Sequence, residues 1–256
     1  MSEIIFAQTR TFYKQYEDLW RVVTLSGYPL IYVDEIDANS DNLYILCPVN
    51  GEWKHGWQQP RARIAHWLLE WNIPEYPFEP TPGTETWTMD AWQAAALGVR
   101  YVPIGSHPDL RVDAPVNGTT YDVAHIAYMT WRRQTINARL TDRGVTQSPI
   151  SAWDDARASV LINSRAYLHV HQHDGAAGVP GLRAIVAAAY RLPLLSESYA
   201  NGGIHNDVVL QAGYDTLADD VERWLDDPAA LLTWGAALHE RLCVEKTFRK
   251  VIDASV

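Results

Sequence analysis

The stretch from Tyr167 to Glu197 reads YLHVHQHDGAAGVPGLRAIVAAAYRLPLLSE. A strand-like run, Ala166 to Val170, leads into a polar, Gly-rich turn from Gln172 to Gly181. An apolar helical run, Leu182 to Tyr190, and a second strand-like run, Leu192 to Ser196, complete it. The pattern predicts one strand–loop–helix–strand unit in a parallel sheet with a right-handed crossover. In open α/β sheets, ligands bind beyond the carboxyl ends of the strands. His171, Gln172, His173, Asp174 and Gly175 fall at one such end, and Ser196 and Glu197 at the next.

The first half of the chain carries the same alternation. Ile4 to Ala7, Leu30 to Val33 and Leu43 to Pro48 read as strands. Thr11 to Ser26 has helical spacing, closed by Gly27. Ile64 to Leu69 reads as a buried strand with Glu70 at its carboxyl end, and Asn50-Gly51-Glu52-Trp53 as a turn after the third strand. Four prolines between Ile73 and Gly83 predict a loop. A helix over Met89 to Leu97 and a strand over Val99 to Ile104 follow. In the second half we expect a strand from Tyr121 to Tyr128, helices over Thr130 to Arg143 and Trp153 to Ser164, and an edge strand at Val208 and Val209. Terminal helices are expected over Thr216 to Trp224, Pro228 to Cys243 and Glu245 to Ile252. The alternation occurs twice, so the expected fold class is α/β with two Rossmann-like lobes, residues 1–108 and 109–256.

Composition narrows the function. A hydrophobic fraction of 47% supports a sizeable core. The net charge of −10 provides no global attraction for nucleic acid, so any such binding needs a local basic patch. Cys47 and Cys243 are too few for a disulfide framework or a zinc ribbon, and a reducing, cytoplasmic compartment is expected. No secretory leader and no membrane span are expected. Eleven tryptophans suit either core packing or stacking platforms for a ring-shaped ligand.

The residues that can carry chemistry gather in the second half. Arg132 and Arg133 fall in the first turn of a predicted helix, where the dipole disfavours cations. They make sense if they face an anion, and a solvated basic face is the plain alternative. His169, His171 and His173 alternate and would share one face of a strand. Neighbours on such a face are nearly 7 Å apart, from about 3.3 Å of rise per residue, too far for a ready metal set. No metal site is expected; packing suits His169, and hydrogen bonding near a phosphate suits His171. The turn from Asp174 to Gly181 is neither a dinucleotide fingerprint nor a Walker loop. Its small residues still let backbone N–H groups approach a ligand, and the helix start behind it suits a diphosphate. Arg183 can add charge-assisted bonds, and Glu197 can accept the hydroxyls of a ribose.

Five stretches together resemble the donor-binding lobe of GT-B-type glycosyltransferases, close to the CgeB-like and group 1 families. They are YVPIGSHPDL (Tyr101 to Leu110), YDVAHIAYMTWRRQTINARLTDRGV (Tyr121 to Val145), ASVLINSRAYLHVHQHDG (Ala158 to Gly175), LRAIVAAAYRLPLLSE (Leu182 to Glu197) and LHERLCVEKTFRKVI (Leu238 to Ile252). With their spacers they cover about sixty per cent of the chain. The resemblance implies a GT-B-like fold, two Rossmann-like lobes facing a cleft with C-terminal helices. It implies transfer of a sugar from a nucleotide-sugar donor, a UDP-sugar first, to a hydroxyl acceptor. The donor residues it points to are His107, Arg132, Arg133, His171, Asp174, Gly175, Arg183, Ser196 and Glu197. Many group 1 enzymes hold the ribose with a glutamate on the helix after the Gly-rich loop; the matching position here is Val186, which moves that role to Glu197.

The acceptor side belongs to the first lobe. Glu52 or Glu70 can serve as the base if the reaction inverts, and solvated turn carboxylates are the plain reading of both. Short transferases resembling this chain occur in phage genomes, where hydroxymethylated pyrimidines in DNA are glycosylated. DNA modification in a host cytoplasm is therefore a specific expectation, with Arg61, Arg63 and Trp57 as acceptor-binding candidates. A small glycan or a protein hydroxyl is a second acceptor class. A non-catalytic module that binds nucleotide sugars is the rival reading.

Overall fold

A computed structural model describes residues 2–10, 16–47, 62–69, 83–113, 119–150, 152, 155–173, 180–199 and 206–256. Two parallel sheets organise it. The first is built from β1 (Ile4–Gln8), β2 (Leu30–Tyr32), β3 (Leu43–Leu46), β4 (Arg63–Leu68), β5 (Glu85–Thr88) and β6 (Arg100–Tyr101), in the order β2-β1-β3-β4-β5-β6. The second is built from β7 (Tyr121–Ala124), β8 (Ser164–His169), β9 (Leu194–Glu197) and β10 (Leu210–Ala212), in the order β10-β9-β8-β7. β3 and most of β1 are buried along their length, the continuous apolar pattern of strands covered on both faces. A parallel bridge from Val123 to Gln147 flanks β7 on its outer side. The chain therefore runs outward from β7 to Gln147 and returns to β8, which makes the β7/β8 boundary a topological switch point.

Helices α1 (Glu17–Leu25) and α2 (Ala91–Leu97) belong to the first half, and α3 (Trp131–Asp142), α4 (Asp155–Ile162), α5 (Gly181–Tyr190), α6 (Leu217–Leu225) and α7 (Pro228–His239) to the second. A π-helical turn, Glu240–Glu245, leads to α8 (Phe248–Ser255). Thr130 caps α3 through its side chain. Asp90 caps α2, and Gly98 ends it in the left-handed conformation at φ 65°. Among the described residues, no helix is long and apolar enough to cross a membrane.

Several expectations shift. β5 was not foreseen: ETWT is only four residues long and follows the proline-rich stretch. The strand expected over Val99 to Ile104 shrinks to β6, because the chain leaves the sheet and sends Val102 and Ile104 into the core. The strand from Tyr121 to Tyr128 stops at Ala124, and the edge strand falls at Leu210–Ala212 rather than at Val208. The alternating histidines do not share a strand face, since β8 ends at His169.

One apolar cluster runs through both halves, from Phe6, Trp67 and Trp87 to Ile185 and Leu194. The expected boundary at residue 108 falls in the short turn Pro108–Leu110 between the sheets. The last helix returns across it: the Phe248 ring lies 5.5 Å from Phe6 and 5.9 Å from Trp67. The two crossing segments are stitched together. Ser106 N donates to Leu242 O and Phe248 N to Ser106 O, both at 3.0 Å, and Ser106 Oγ donates to Ile185 O in α5 at 2.8 Å. A Cβ on Gly181 would sit 2.5 Å from Met89 Sδ. The start of α5 thus abuts the carboxyl end of β5, and the two sheets face each other there.

Candidate active site

The carboxyl ends of β7, β8 and β9 carry a buried ionic cluster. Thr130 starts α3 beside them, and its first turn aims Arg132 and Arg133 inward; both side chains are buried. Arg132 Nη2 donates to Glu197 Oε1, and the Nη2 contact is an ion pair. The other carboxylate oxygen, Oε2, accepts from His171 N at 3.0 Å. The Arg132 guanidinium lies 3.9 Å from the centroid of the Tyr214 ring. The anion foreseen for this helix start is thus partly Glu197 itself.

Arg133 is held differently. Its Nε donates to Val170 O at 3.0 Å and its Nη1 to Tyr128 O at 2.7 Å. Among the described residues it makes no ion pair; two backbone carbonyls hold it, and the Glu197 carboxylate acts on its charge from farther off. Burial, reinforced by the nearby Arg183 charge, pushes its pKa down to about 10. Arg183 stands in the first turn of α5, and its charge acts on Arg133, His125, His169 and His171 alike. The site is strongly electropositive.

Three neutral imidazoles line it. The His169 and His171 rings meet edge-to-face at 4.9 Å, closer than two neighbours on one face of an extended strand, because the chain turns after His169. His171 Nε2 pairs with Ser198 O at 3.1 Å. His125 Nδ1 pairs with Asn137 Oδ1 at 2.7 Å. Neither ring nitrogen of His169, nor His125 Nε2, has a hydrogen-bond partner among the described residues. Burial pushes His125 down to about 3 and His169 well below the ordinary histidine value, with Arg183 adding to both; His171 is lowered as well, chiefly by burial and against the pull of Glu197. Buried polar atoms without partners are costly. Among the described residues, no group of three or more His, Cys, Asp or Glu is arranged to hold a metal.

The sequence candidates divide on this geometry. Arg132, Arg133, His171, Arg183 and Glu197 converge. Ser196 is fully buried, and its hydroxyl is taken up by Glu197 O at 2.7 Å. Val186 is buried in the core, so an apolar residue is what that position requires. His107 caps the Pro108–Leu110 turn, its Nδ1 accepting from Asp109 N at 3.2 Å. Arg63 stands at the amino end of β4, paired with Glu85 at 3.4 Å, the end of the sheet away from the crevice. Glu52, Trp57, Arg61, Glu70, Asp174 and Gly175 lie outside the described residues. Sequence reasoning missed His125 and Tyr214. His125 sits one residue past β7, a strand-end position that flags it, whereas Tyr214 carries no local signal.

Two facing parallel α/β lobes, with a switch-point crevice in the second and a last helix that returns to the first, define a GT-B-like fold. No protein-family model matches the sequence, and no curated protein does. Among solved structures, AviGT4, a glycosyltransferase involved in avilamycin A biosynthesis, is similar at a TM-score of 0.62 and 13% identity, over 99% of this chain and 96% of AviGT4. TarM is similar at a TM-score of 0.60 and 9% identity, over 93% of this chain and 56% of TarM. The chain thus spans nearly the whole of AviGT4 and little more than half of TarM.

Proposed function

We propose that the protein is a glycosyltransferase that moves a sugar from a nucleotide diphosphate donor to a hydroxyl acceptor. One observation carries this reading: Arg132, Arg133 and Arg183 converge with three neutral histidines at the strand ends where ligands bind in such sheets. In the reaction, the bond between the sugar C1 and the terminal diphosphate oxygen breaks, and its electron pair stays with that oxygen. The acceptor oxygen bonds C1 and gives up its proton. Negative charge grows on the departing diphosphate, and fixed cations in a desolvated site stabilise it. Arg133, held by Val170 O and Tyr128 O, is fixed before the donor arrives. Neutral His169, whose ring nitrogens lack partners among the described residues, can donate an N–H bond to a phosphate oxygen without adding to the mutual repulsion of the arginines, while the single proton of neutral His171 is committed to Ser198 O. Arg183 and the start of α5 add to the same anion site. Glu197 keeps lone pairs for a ribose hydroxyl, since each carboxylate oxygen has two. In an inverting reaction, Glu52 or Glu70 takes the acceptor proton. The three arginines supply the charge that a metal supplies elsewhere, so the reading includes no resident metal.

The test is a thermal-shift panel of UDP-, GDP-, dTDP- and ADP-glucose, followed by donor hydrolysis. A donor at a hundred times its dissociation constant adds about 2.7 kcal/mol of stability. A UDP-sugar is the first expectation. Binding without hydrolysis would favour the non-catalytic module instead. For the acceptor, hydroxymethylated DNA competes with small glycans and protein hydroxyls. If DNA is used, affinity falls with salt at a log–log slope of about −0.9 per phosphate contacted. Arg63 is tied to Glu85 and adds little to that case. Transfer to a small glycan, with no binding to DNA at low salt, removes DNA. The two free cysteines, both buried, accord with a reducing cytoplasmic setting.

A further inference from the structure

Arg132 is held more firmly than an arginine that merely meets a ligand. Its side chain is buried, with 4% of the residue exposed. Its guanidinium lies 3.9 Å from the centroid of the Tyr214 ring, in the loop between β10 and α6. The Tyr214 hydroxyl donates to Arg132 O at 3.2 Å, so one side chain holds both ends of the arginine. Glu197 engages Nη2 from the end of β9. The Trp131 ring stands edge-on to Tyr214 at 6.5 Å, and Arg139 Cζ lies 5.6 Å from the same ring, bracing the tyrosine in turn.

An arginine side chain carries rotamer entropy that is lost whenever its fork is fixed on an anion. Stacking on an aromatic face fixes the guanidinium plane beforehand. Tyr214 is 82 residues from Arg132 in the sequence, so this contact exists only in the folded chain.

We propose that Tyr214 is a positioning residue which, together with Glu197, holds the Arg132 guanidinium in the orientation that receives the donor diphosphate. The assignment rests on the transferase reading. It adds that the loop after β10, which carries no ligand-binding candidate of its own, sets how strongly the leaving group is stabilised. Most of the effect is expected in turnover, because the charge Arg132 meets grows as the sugar–phosphate bond breaks.

The experiment is a cycle of Tyr214→Leu and Arg132→Met, read by hydrolysis of whichever donor the panel selects. With Arg132 present, Tyr214→Leu should lower kcat about tenfold, a modest loss for a misplaced group, and change the donor KM less. With Arg132→Met already made, it should change kcat by less than about twofold, since the two residues act as one unit. Tyr214→Phe, which keeps the ring, should stay close to the parent. If Tyr214→Leu does not fold, Tyr214→Met carries the same test. Unchanged kcat in a folded Tyr214→Leu protein, or an equal loss in both backgrounds, overturns the assignment while leaving the transferase standing. A parent protein that binds and hydrolyses no nucleotide sugar overturns both.

Discussion

Replacing Glu197 with alanine tests the centre of the site. The parent holds a buried ion pair, with Arg132 4% and Glu197 7% exposed. Alanine removes the counter-charge and also the acceptor for His171 N, which Oε2 holds at 3.0 Å. Breaking a buried pair from one side costs about 3–5 kcal/mol, because the surviving charge stays desolvated. The Tyr214 ring still stacks on the guanidinium, and a desolvated stack contributes about 2 kcal/mol, but it does not neutralise the charge. We therefore expect Glu197→Ala to lose about 3–5 kcal/mol in urea unfolding. With an m-value near 3 kcal/mol per molar, that is a fall of about 1 to 1.7 M in the midpoint. The control is Arg132→Met with Glu197→Leu, which removes both charges and fills their space. Apolar replacement of a buried pair is often neutral or stabilising, leaving the His171 N–H as the main loss, about 1–3 kcal/mol. A single variant that loses less than about 1 kcal/mol, or a double variant that loses as much as the single, refutes the view that desolvated charge governs this site. Nucleotide binding, followed in parallel, should weaken in both variants.

Arg183→Ala should weaken donor binding about tenfold or more, the worth of one charge-assisted hydrogen bond; titration calorimetry with the panel's donor checks this. Gly105→Ala places a Cβ 2.3 Å from Lys246 O and 2.6 Å from Phe248 N, both backbone atoms that cannot yield alone, so the crossing of the C-terminal segment must shift. The loss should reach about 3 kcal/mol, the upper end of overpacking costs, read as a lower melting temperature. Burial holds His66 at about 4, so in the unfolded chain, near 6.5, it binds a proton that the folded chain does not. Its contribution is therefore whole above the unfolded value and is lost as pH falls from 6.5 toward 4. His66→Leu should show about 2 kcal/mol less loss than the parent between pH 7.5 and 5 in urea titrations, and an unchanged pH slope would contradict the burial of a neutral ring.

Much of the fold is legible in the chain itself. The β8–α5–β9 unit follows from apolar runs separated by a Gly-rich turn, and its strands and helix lie within two residues of their expected bounds. Arg132 and Arg133 in a helix's first turn raise the expectation of an anion because the dipole opposes cations there, and for Arg132 Glu197 is one such anion. These are local signals, set by periodicity and by backbone charge within one turn. Only the tertiary structure decided the rest. That Glu197 would meet Arg132 needed the end of β9 and the start of α3 brought together across 65 residues. The position of Tyr214 under that arginine needed a third element, the loop after β10. The return of α8 to pack Phe248 against Phe6 depended on apolar surface left open by the first sheet, which no periodicity within α8 records. The turn after His169 broke a pattern that reads as one strand face, because β8 loses its partner there: its register with β9 ends at His169 and Ser196. Local pattern determines which elements form, while the pairing of distant side chains is set by which surfaces must be buried together.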